Sequence, residues 1–499
     1  MKVIVISILF LYAFSLTFIL VYSFIQLHLT YVYRRSRKKK GSNGTYRSIL
    51  AEDQLPTATV QLPLYNELYV TERLLEKVSE FDYPRDKLEI QVLDDSTDES
   101  FAIAEAKCKE IAARGIDIKH IRRPKRTGFK AGALQYGLER SKGEFVAIFD
   151  ADFLPEKDFL KKTIPSFQDK SIGMVQTRWG HINEDYSIFT KALAFHLNAH
   201  FSVEQAGRNS RGYFMNFNGT AGVWRKSAIY DGGGWEADTL TEDLDLSYRT
   251  QMKGWKFLFL EDVVAPAELP AVMSAIKSQQ YRWTKGGAET AKKHIKNLMS
   301  SKISWGQKFH GIAHLLNSTI FIFVLLTAIL SFPAIMIKNT YPEWKPLFIA
   351  GSSFLVAFLI LIFFYVNSLE IRNKSKKQNL VYFLTMFPTF LCFSMGLSLH
   401  NSIAVVKGLI GKRSPFIRTP KFDIKSISDS WKKNKYLKQK IEVTTILEGI
   451  LTFYFLGAIL YAFKIKDFGL LPFHIMLFLG FASIFGASIY HFVLTRMQR

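Results

Sequence analysis

Cysteine is nearly missing from this sequence: 499 residues contain two, Cys108 and Cys392. One falls in a mixed polar stretch and the other in an apolar segment, so a disulfide framework is not expected. Zinc-finger spacings and nucleic-acid motifs are absent as well, which removes nucleic acid from the expected partners despite a formal charge of +22. There are no internal repeats and no low-complexity tract. The first apolar run is too long for a signal-peptide core and has no small-residue cleavage site, so it is expected to persist as a helix. Acidic residues are the minority charge, 43 against 65 Lys and Arg. Much of the basic surplus sits in short runs beside apolar segments, which favours a membrane surface as the reason for it.

Apolar residues, by contrast, are abundant at 48%, with 43 Phe among them, and they are unevenly placed. They pool in residues 3–33 and again after about residue 309, on either side of a stretch that reads as an ordinary soluble domain. Residues 3–33 exceed the ~20 residues that cross a bilayer. Only Lys2 precedes them, whereas Arg34, Arg35, Arg37, Lys38, Lys39 and Lys40 follow. The charge bias therefore puts the N-terminus outside and residue 34 onward in the cytoplasm, with 34–54 as a basic linker. Segments 309–337 and 347–369 read as a hairpin of spans, as do 442–463 and 470–495. Segment 379–407, interrupted by Pro388, lies between two basic stretches: Arg372, Lys374, Lys376 and Lys377 before it, and eleven Lys or Arg in 407–440 after it. Both stretches favour the cytoplasm, so 379–407 is expected to lie along the interface or re-enter, leaving five full spans; a sixth span is the alternative.

Between residues 55 and 300 strand-like and helix-like stretches alternate. TATVQLPLY, LEIQVLDDS and GEFVAIFDADF read as strands; VTERLLEKVSEF and SFAIAEAKCKEIAARG read as helices. This rhythm predicts an α/β domain with a mostly parallel sheet covered on both faces. Ligands in such sheets bind beyond the C-terminal strand ends, which is where Asp94-Asp95 and Asp150-Ala151-Asp152 fall.

In Asp150-Ala151-Asp152 the middle side chain points away, so both carboxylates can face one site. Their hard oxygens suit Mg²⁺ or Mn²⁺ completed by substrate phosphates. Asp94 and Asp95 read alone as a turn or helix cap, and in a site as acceptors for a base or ribose. Lys130 opens a helix in GFKAGALQYGL, where a cation and a helix N-terminus favour a phosphate; alone it is a surface lysine. Glu242 and Asp243 sit in a helical first turn, which the macrodipole favours, and either could take a proton from a sugar hydroxyl. Gln279-Gln280-Tyr281-Arg282-Trp283 offers an aromatic face and polar groups, and reads equally as an interfacial anchor.

Seven pieces in one order, QLPLYNE (61–67), LDDSTD (93–98), KAGAL (130–134), FDAD (149–152), FNGTAGVWR (217–225), TEDLD (241–245) and QQYRW (279–283), carry a resemblance. The sequence resembles glycosyltransferase family 2 and, within it, the processive β-glycan synthases, which include bacterial cellulose synthase and plant cellulose-synthase-like mannan and glucan synthases. The resemblance covers residues 55–300 strongly and the membrane region more loosely. It implies a GT-A (Rossmann-like nucleotide-sugar) domain inserted between transmembrane helices, and an inverting mechanism. It implies that Tyr65, Asn66 and Glu67 line a nucleotide pocket, that Asp94 or Asp95 binds base and ribose, and that Lys130 lies near the donor. Asp150 and Asp152 would bind diphosphate and metal, and Phe217, Asn218, Gly219 and Thr220 would flank the acceptor. Asp243, with Glu242 beside it, would be the general base, and Gln279, Arg282 and Trp283 would hold diphosphate and acceptor sugar. KRSPFIRTPKF (412–422) is similar to a cytoplasmic loop of plant-type relatives. The gating sequence of bacterial cellulose synthase is not reproduced there, and its cyclic-di-GMP-binding domain is absent from this chain.

The expected activity is transfer of a hexose from a nucleotide-sugar, of UDP-glucose or GDP-mannose type, to a growing β-linked polysaccharide, with export through the membrane region. The expected partners are that donor, the glycan acceptor, membrane lipids and accessory export subunits. The expected location is a multi-pass membrane protein with a cytoplasmic catalytic domain, in a bacterium the inner membrane. Two alternatives remain open on the sequence: single transfer to a membrane lipid, as ceramide or diacylglycerol glucosyltransferases perform, and a silent subunit that binds glycan or nucleotide.

Overall fold

The computed structural model describes residues 2–40, 50–372, 374–412, 414, 417–432, 434–437 and 440–497. Its centre is a seven-stranded sheet: β1 (Ala58–Leu64), β2 (Leu88–Asp94), β3 (Ile118–Ile121), β4 (Phe145–Ile148), β5 (Ile172–His181), β6 (Gly222–Arg225) and β7 (Lys256–Ala267). The order is β3-β2-β1-β4-β6-β5-β7. Strands β1 to β4 are mutually parallel, β5 pairs parallel with β7, and β6 alone runs antiparallel to its neighbours β4 and β5.

The central strands are buried along nearly their whole length, as expected of a sheet covered on both faces. Polar residues inside them are tolerated because register pairs them. Thr59 lies opposite Glu89 and Gln61 opposite Gln91; the Thr59 hydroxyl donates to Glu89 Oε2 at 2.8 Å and Gln61 Nε2 to Gln91 Oε1 at 3.1 Å. A buried polar group with a partner escapes the desolvation penalty. The same registers, Leu64 with Asp94 and Gln61 with Ile148, bring the C-terminal ends of β1, β2 and β4 to one edge.

One face packs on helices Thr71–Ser79 and Ser100–Ala113, the latter burying Cys108. The other packs on Phe129–Leu138, on Ile188–Ala199, and on residues of the long C-terminal helices, Phe393, Leu397 and Ile484. The sheet domain and the apolar helices thus share a core. Cys108 and Cys392 are both free thiols.

Among the described residues, six helical stretches are long and apolar enough to cross a membrane: Lys2–Lys38, Asn317–Thr340, Pro342–Arg372, Lys376–Ile410, Val443–Ile465 and Leu471–Met497. Three details differ from the sequence reading. The first helix runs on to Lys40, through the basic cluster assigned to the linker; linker residues 41–49 lie outside the described residues. The run expected at 309–337 is split. Trp305–Leu315 is a separate helix, capped by Ser304 and burying His310, Gly311, Ala313 and Leu315, and a 3-10 turn at Asn317–Thr319 precedes Ile320–Thr340. Its Gly311 lies against Leu298 of the preceding helix, so this part of the run is drawn to the domain. Finally, Lys376–Ile410 is one helix through Pro388. Neighbouring helices pack it closely enough to tolerate the lost backbone bond: at Gly396 an added Cβ would collide with the Gly480 carbonyl of the last helix.

The helix ends fall into two sets. In one, Tyr33 donates to Glu261 at 2.8 Å, Arg372 pairs with Glu184 at 3.0 Å, and the Met273 amide donates to His491 at 3.1 Å, all tying helix ends to the sheet domain. In the other, the opposite ends meet one another: Lys338 pairs with Asp467 at 2.8 Å, and Val5 and Leu9 cluster with Ile337 and Trp344. Lys376–Ile410 is the exception, because both its ends reach the domain. Tyr382 donates to Glu184 at 3.0 Å, and Gly408 abuts the Lys285 carbonyl.

Helix Met273–Ser300 joins the two regions. Its Lys277 pairs at 2.6 Å with Glu448, a fully buried residue of Val443–Ile465, and lies 3.2 Å from the Thr445 hydroxyl. Removing one partner of a buried pair leaves an uncompensated charge, at a cost of about 3–5 kcal/mol. Glu448→Leu is therefore expected to lower the thermal stability of the detergent-solubilised protein markedly, and Lys277→Met in the same chain to recover most of the loss; thermal unfolding of the three proteins measures it.

Candidate active site

The strand ends open onto a cleft of about 1240 Å³, counting its mouth. Tyr65 and Glu67, just after β1, line it. Asn66 between them does not; it takes a left-handed conformation with φ 55°, as asparagine tolerates. Its amide donates to the Ser96 hydroxyl at 2.9 Å and its Oδ1 accepts from the Thr97 amide at 2.9 Å, clipping the β1 loop to the β2 loop. Asp94 also faces away. It is buried, accepts from the Ser96 amide at 2.8 Å and lies 2.9 Å from His120 Nε2. Asp95 does line the cleft, held in a fork by Arg123 at 2.8 and 2.6 Å, while Arg126 lies 3.3 Å over the Tyr65 ring. Tyr65, Arg126 and Asp95 thus form a flat, polar-edged slot suited to a nucleobase.

Asp150 and Asp152 follow β4, as expected, and both line the cleft. The Asp150 amide donates to the Thr220 hydroxyl at 2.9 Å, so Thr220, itself buried, fixes the turn rather than a ligand. Lys130 reaches in from its helix, whose first residues Gly128 and Phe129 both have positive φ and turn the chain sharply. Its ammonium lies 2.6 Å from Asp150 Oδ1, 2.8 Å from the Gly219 carbonyl and 3.8 Å from Glu242. Burial works against that charge, but Asp150 and Glu242 outweigh it and raise the affinity of Lys130 for its proton.

Glu242 and Asp243 enter from the first turn of helix Glu242–Met252. Burial, and then the neighbouring Glu242, push the Asp243 carboxyl up to about 7; Glu242 is raised by burial against the pull of Lys130. Gly219 lies across from them with φ 78°, where an added Cβ would stand 3.0 Å from Asp243 Oδ2 and 3.4 Å from Lys130 Nζ. Asn218 lines the cleft beside it, whereas Phe217 is fully buried against Trp224 and Trp235. Gln279, Arg282 and Trp283 complete the wall from helix Met273–Ser300. Burial weakens the hold of Arg282 on its proton, and Asp150, Glu242, Asp152 and Asp243 all oppose that loss. Four carboxylates therefore act on one guanidinium. Trp283 lies 6.4 Å from Trp179, a pair of ring faces at the cleft end nearest the apolar helices.

The residue-by-residue reading missed Arg418, Thr419 and Lys421, which come from the loop after Lys376–Ile410. Arg418 pairs with Glu67 at 2.5 Å, Thr419 accepts from Arg282 at 2.9 Å, and Lys421 pairs with Asp152 at 2.6 Å. Buried Glu268 anchors the loop by accepting from the Phe422 and Asp423 amides at 2.8 and 3.0 Å and pairing with Arg73 at 3.0 Å. Only the resemblance of the run 412–422 marked this loop; nothing local tells which of its basic residues turn inward.

Asp150 and Asp152 fit a divalent cation. They are hard oxygen donors on one cleft wall, and Asp152 Oδ1 is buried without a hydrogen-bond partner among the described residues. A second acidic group, Glu236, Asp238 and Asp245, does not need one, because the Lys293 ammonium already bridges all three at 2.6–2.9 Å.

Residues 56–286 match the family described as Glycosyltransferase like family 2. Glucomannan 4-beta-mannosyltransferase 9 of Arabidopsis thaliana is 33% identical over 403 residues, which cover 78% of this chain and 72% of that one. Probable glucomannan 4-beta-mannosyltransferase 4 of Oryza sativa subsp. japonica is 36% identical over 71% of this chain and 63% of its own length; with the similar rice relatives, this chain spans about three fifths of the relative or less. Among solved structures, the mannosyltransferase PcManGT from Pyrobaculum calidifontis, in complex with GDP-Man and Mn²⁺, superposes with a TM-score of 0.53 over 81% of this chain and all of that one, at 20% identity. That likeness bears on the fold.

The displaced titration of Asp243 has a consequence for stability. Its folded value near 7 exceeds an unfolded value near 4, so the native state holds a proton that the unfolded chain releases between those limits. Wild-type stability should therefore fall as pH rises from about 4 to 7. Asp243→Asn, neutral throughout, is expected to be the more stable protein above pH 7, by a margin that shrinks as pH falls and vanishes near pH 4. Thermal unfolding of both proteins across that range, without nucleotide or metal, measures it.

Proposed function

This chain is a member of glycosyltransferase family 2, of its processive β-glycan synthase group, and we propose that it is an inverting transferase that passes a mannosyl unit from GDP-mannose to the growing end of a β-1,4-linked polysaccharide. The names of its curated relatives support mannose over glucose. The observation that carries the reading is the convergence of Asp150, Asp152, Glu242 and Asp243 on Lys130 and Arg282 in one cleft, with Trp283 beside the apolar helices.

The residues divide the chemistry among them. Tyr65, Arg126 and Asp95 hold the base. Asp150 and Asp152 would hold Mg²⁺ or Mn²⁺, which would supply positive charge to neutralise the diphosphate. Arg282, with Lys130 nearby, stabilises the charge that develops on the leaving diphosphate. Trp283 stacks the acceptor sugar. Asp243 takes the proton from the attacking hydroxyl, which is a poor nucleophile at neutral pH. Attack from the face opposite the leaving group inverts the anomeric centre, so an α-linked donor yields a β-linked product.

The membrane arrangement we propose has five crossings, with Lys376–Ile410 lying along the interface. Its support is that both ends of that helix contact the catalytic domain, whereas the other apolar helices run between the two sets of contacts. The basic cluster at Arg34–Lys38 supports a cytoplasmic catalytic domain. The shared core of Trp179 and Trp283 with Phe393, Leu397 and Ile484 supports passage of product from the cleft into the helices. The curated relatives named above are plant proteins, so the bacterial inner membrane expected from the sequence gains no support from them.

Purified full-length protein given radiolabelled GDP-mannose, UDP-glucose and UDP-N-acetylglucosamine with Mn²⁺ is expected to make high-mass product from GDP-mannose that endo-β-mannanase degrades. Organic-extractable product would point instead to a lipid acceptor, and absence of turnover with every donor would overturn the reading. Chelation of divalent cations is expected to abolish transfer, and re-addition of Mg²⁺ or Mn²⁺ to restore it. Asp243→Asn is expected to lower kcat by about 10²–10⁴-fold with nucleotide affinity retained, and wild-type kcat/KM to decline as pH falls below about 7, where Asp243 gains its proton.

A further inference from the structure

Helix Ile188–Ala199 continues without a break into a π-helical turn, His200–Ala206. Such wide turns are rare and gather at functional sites. This one carries His200, Glu204 and Gln205 towards the chain that precedes β6. A run of hydrogen bonds there has only one consistent orientation, fixed by a backbone carbonyl. Gln205 Nε2 donates to the Asn216 carbonyl at 3.1 Å and also to Asn216 Oδ1 at 3.2 Å. With Oδ1 accepting, Asn216 must turn its Nδ2 to Asn218, whose Oδ1 accepts it at 2.7 Å. The same Asn218 Oδ1 lies 3.3 Å from His200 Nε2, so that nitrogen must donate. His200 Nδ1 meanwhile faces Glu204 Oε2 at 2.8 Å. Nε2 is thus the protonated nitrogen that His200 presents to Asn218.

Glu204 suits that partner. Burial disfavours its charge, but the bond from His200 and the pull of the neighbouring basic groups, Arg208 among them, together outweigh burial and keep the carboxyl below its usual range. The other titratable groups around this pair are His196 and Arg208 on the same helical run, His314 from Trp305–Leu315, and Tyr365 beside His196. With Oδ1 occupied twice, the Asn218 side chain has one group left; the main-chain amide donates to Gln176 Oε1 at 3.0 Å. Its Nδ2 is buried without a partner among the described residues, on a residue that lines the cleft next to Gly219 and Asp243.

We propose that His200 is a positioning residue: held at Nδ1 by Glu204, it donates from Nε2 and locks the Asn218 amide so that Nδ2 is presented to a hydroxyl oxygen of the acceptor pyranose. The neighbourhood of Asp243 assigns this donor to the acceptor rather than to the nucleotide, because the base must stand beside the sugar whose hydroxyl it deprotonates. The assignment rests on the transferase reading above. No bond is made or broken by His200 itself.

The test is a double-mutant cycle on the full-length protein: wild type, His200→Gln, Asn218→Ala and the two together, with polymer formation and GDP release measured in parallel. Each single change is expected to lower kcat for polymer about tenfold, as loss of one positioned hydrogen bond does, with the KM for GDP-mannose and the slow hydrolysis of donor unchanged. The double variant is expected to be no worse than Asn218→Ala, because His200 acts only through Asn218. Additive losses in the double variant, or full activity of His200→Gln, would overturn the proposal. Failure of wild type to use any donor would instead count against the transferase reading. The proposal is then decided by ¹⁵N NMR of histidine-labelled protein, with His200→Gln to identify the signal: a proton on Nε2 supports it and a ring protonated at Nδ1 alone sinks it.

Discussion

Carboxylates at the ends of separate strands and helices would repel one another out of a shared, partly dry cleft unless cations were interleaved with them. Lys130 against Asp150, Lys421 against Asp152 and Arg282 among all four acids supply that interleaving. Coulomb attraction is strong where water is scarce, so each acid holds its cation in place as much as the reverse. Arg418 on Glu67 and Lys421 on Asp152 come from a loop far along the chain.

The same compensation explains how a soluble domain and a helical bundle act as one body. Helix Met273–Ser300 presents Gln279, Arg282 and Trp283 to the cleft and Lys277 to Glu448 of the bundle. The acceptor side of the site is therefore fixed to the apolar helices directly, through one helix and a buried ion pair. Phe393, Leu397 and Ile484 in the core of the sheet domain add an apolar contribution to that union. Lys376–Ile410, touching the domain at both ends, closes the arrangement underneath.

Much of the fold was legible because its signals are local. VQLPL and EIQVL read as buried strands, their acidic ends as ligand positions, and residues 3–33 as a spanning helix, each from side-chain periodicity or apolar length alone. The cleft-lining residues among the expected set, Tyr65, Glu67, Asp95, Lys130, Asp150, Asp152, Asn218, Gly219, Glu242, Asp243, Gln279, Arg282 and Trp283, stand in one place. Asn66, Asp94, Phe217 and Thr220 were expected in the site and instead support it from behind. Adjacent residues of a motif share a sequence signal but point to opposite sides of a strand or turn, and the signal does not say which side holds the ligand. The split at Leu315 and the unbroken helix through Pro388 escaped for a related reason: both depend on what packs against the segment.

The sequence by itself determined the element types, the apolar segments and the family, since these follow from patterns that span a few residues or recur in a fixed order. Tertiary structure decided which acids face the cleft and which loop enters it. The deciding contacts join residues far apart in the chain, Glu67 with Arg418 across 351 positions and Lys277 with Glu448 across 171. No local pattern encodes such partners; they are selected only when the whole chain must satisfy its buried charges at once.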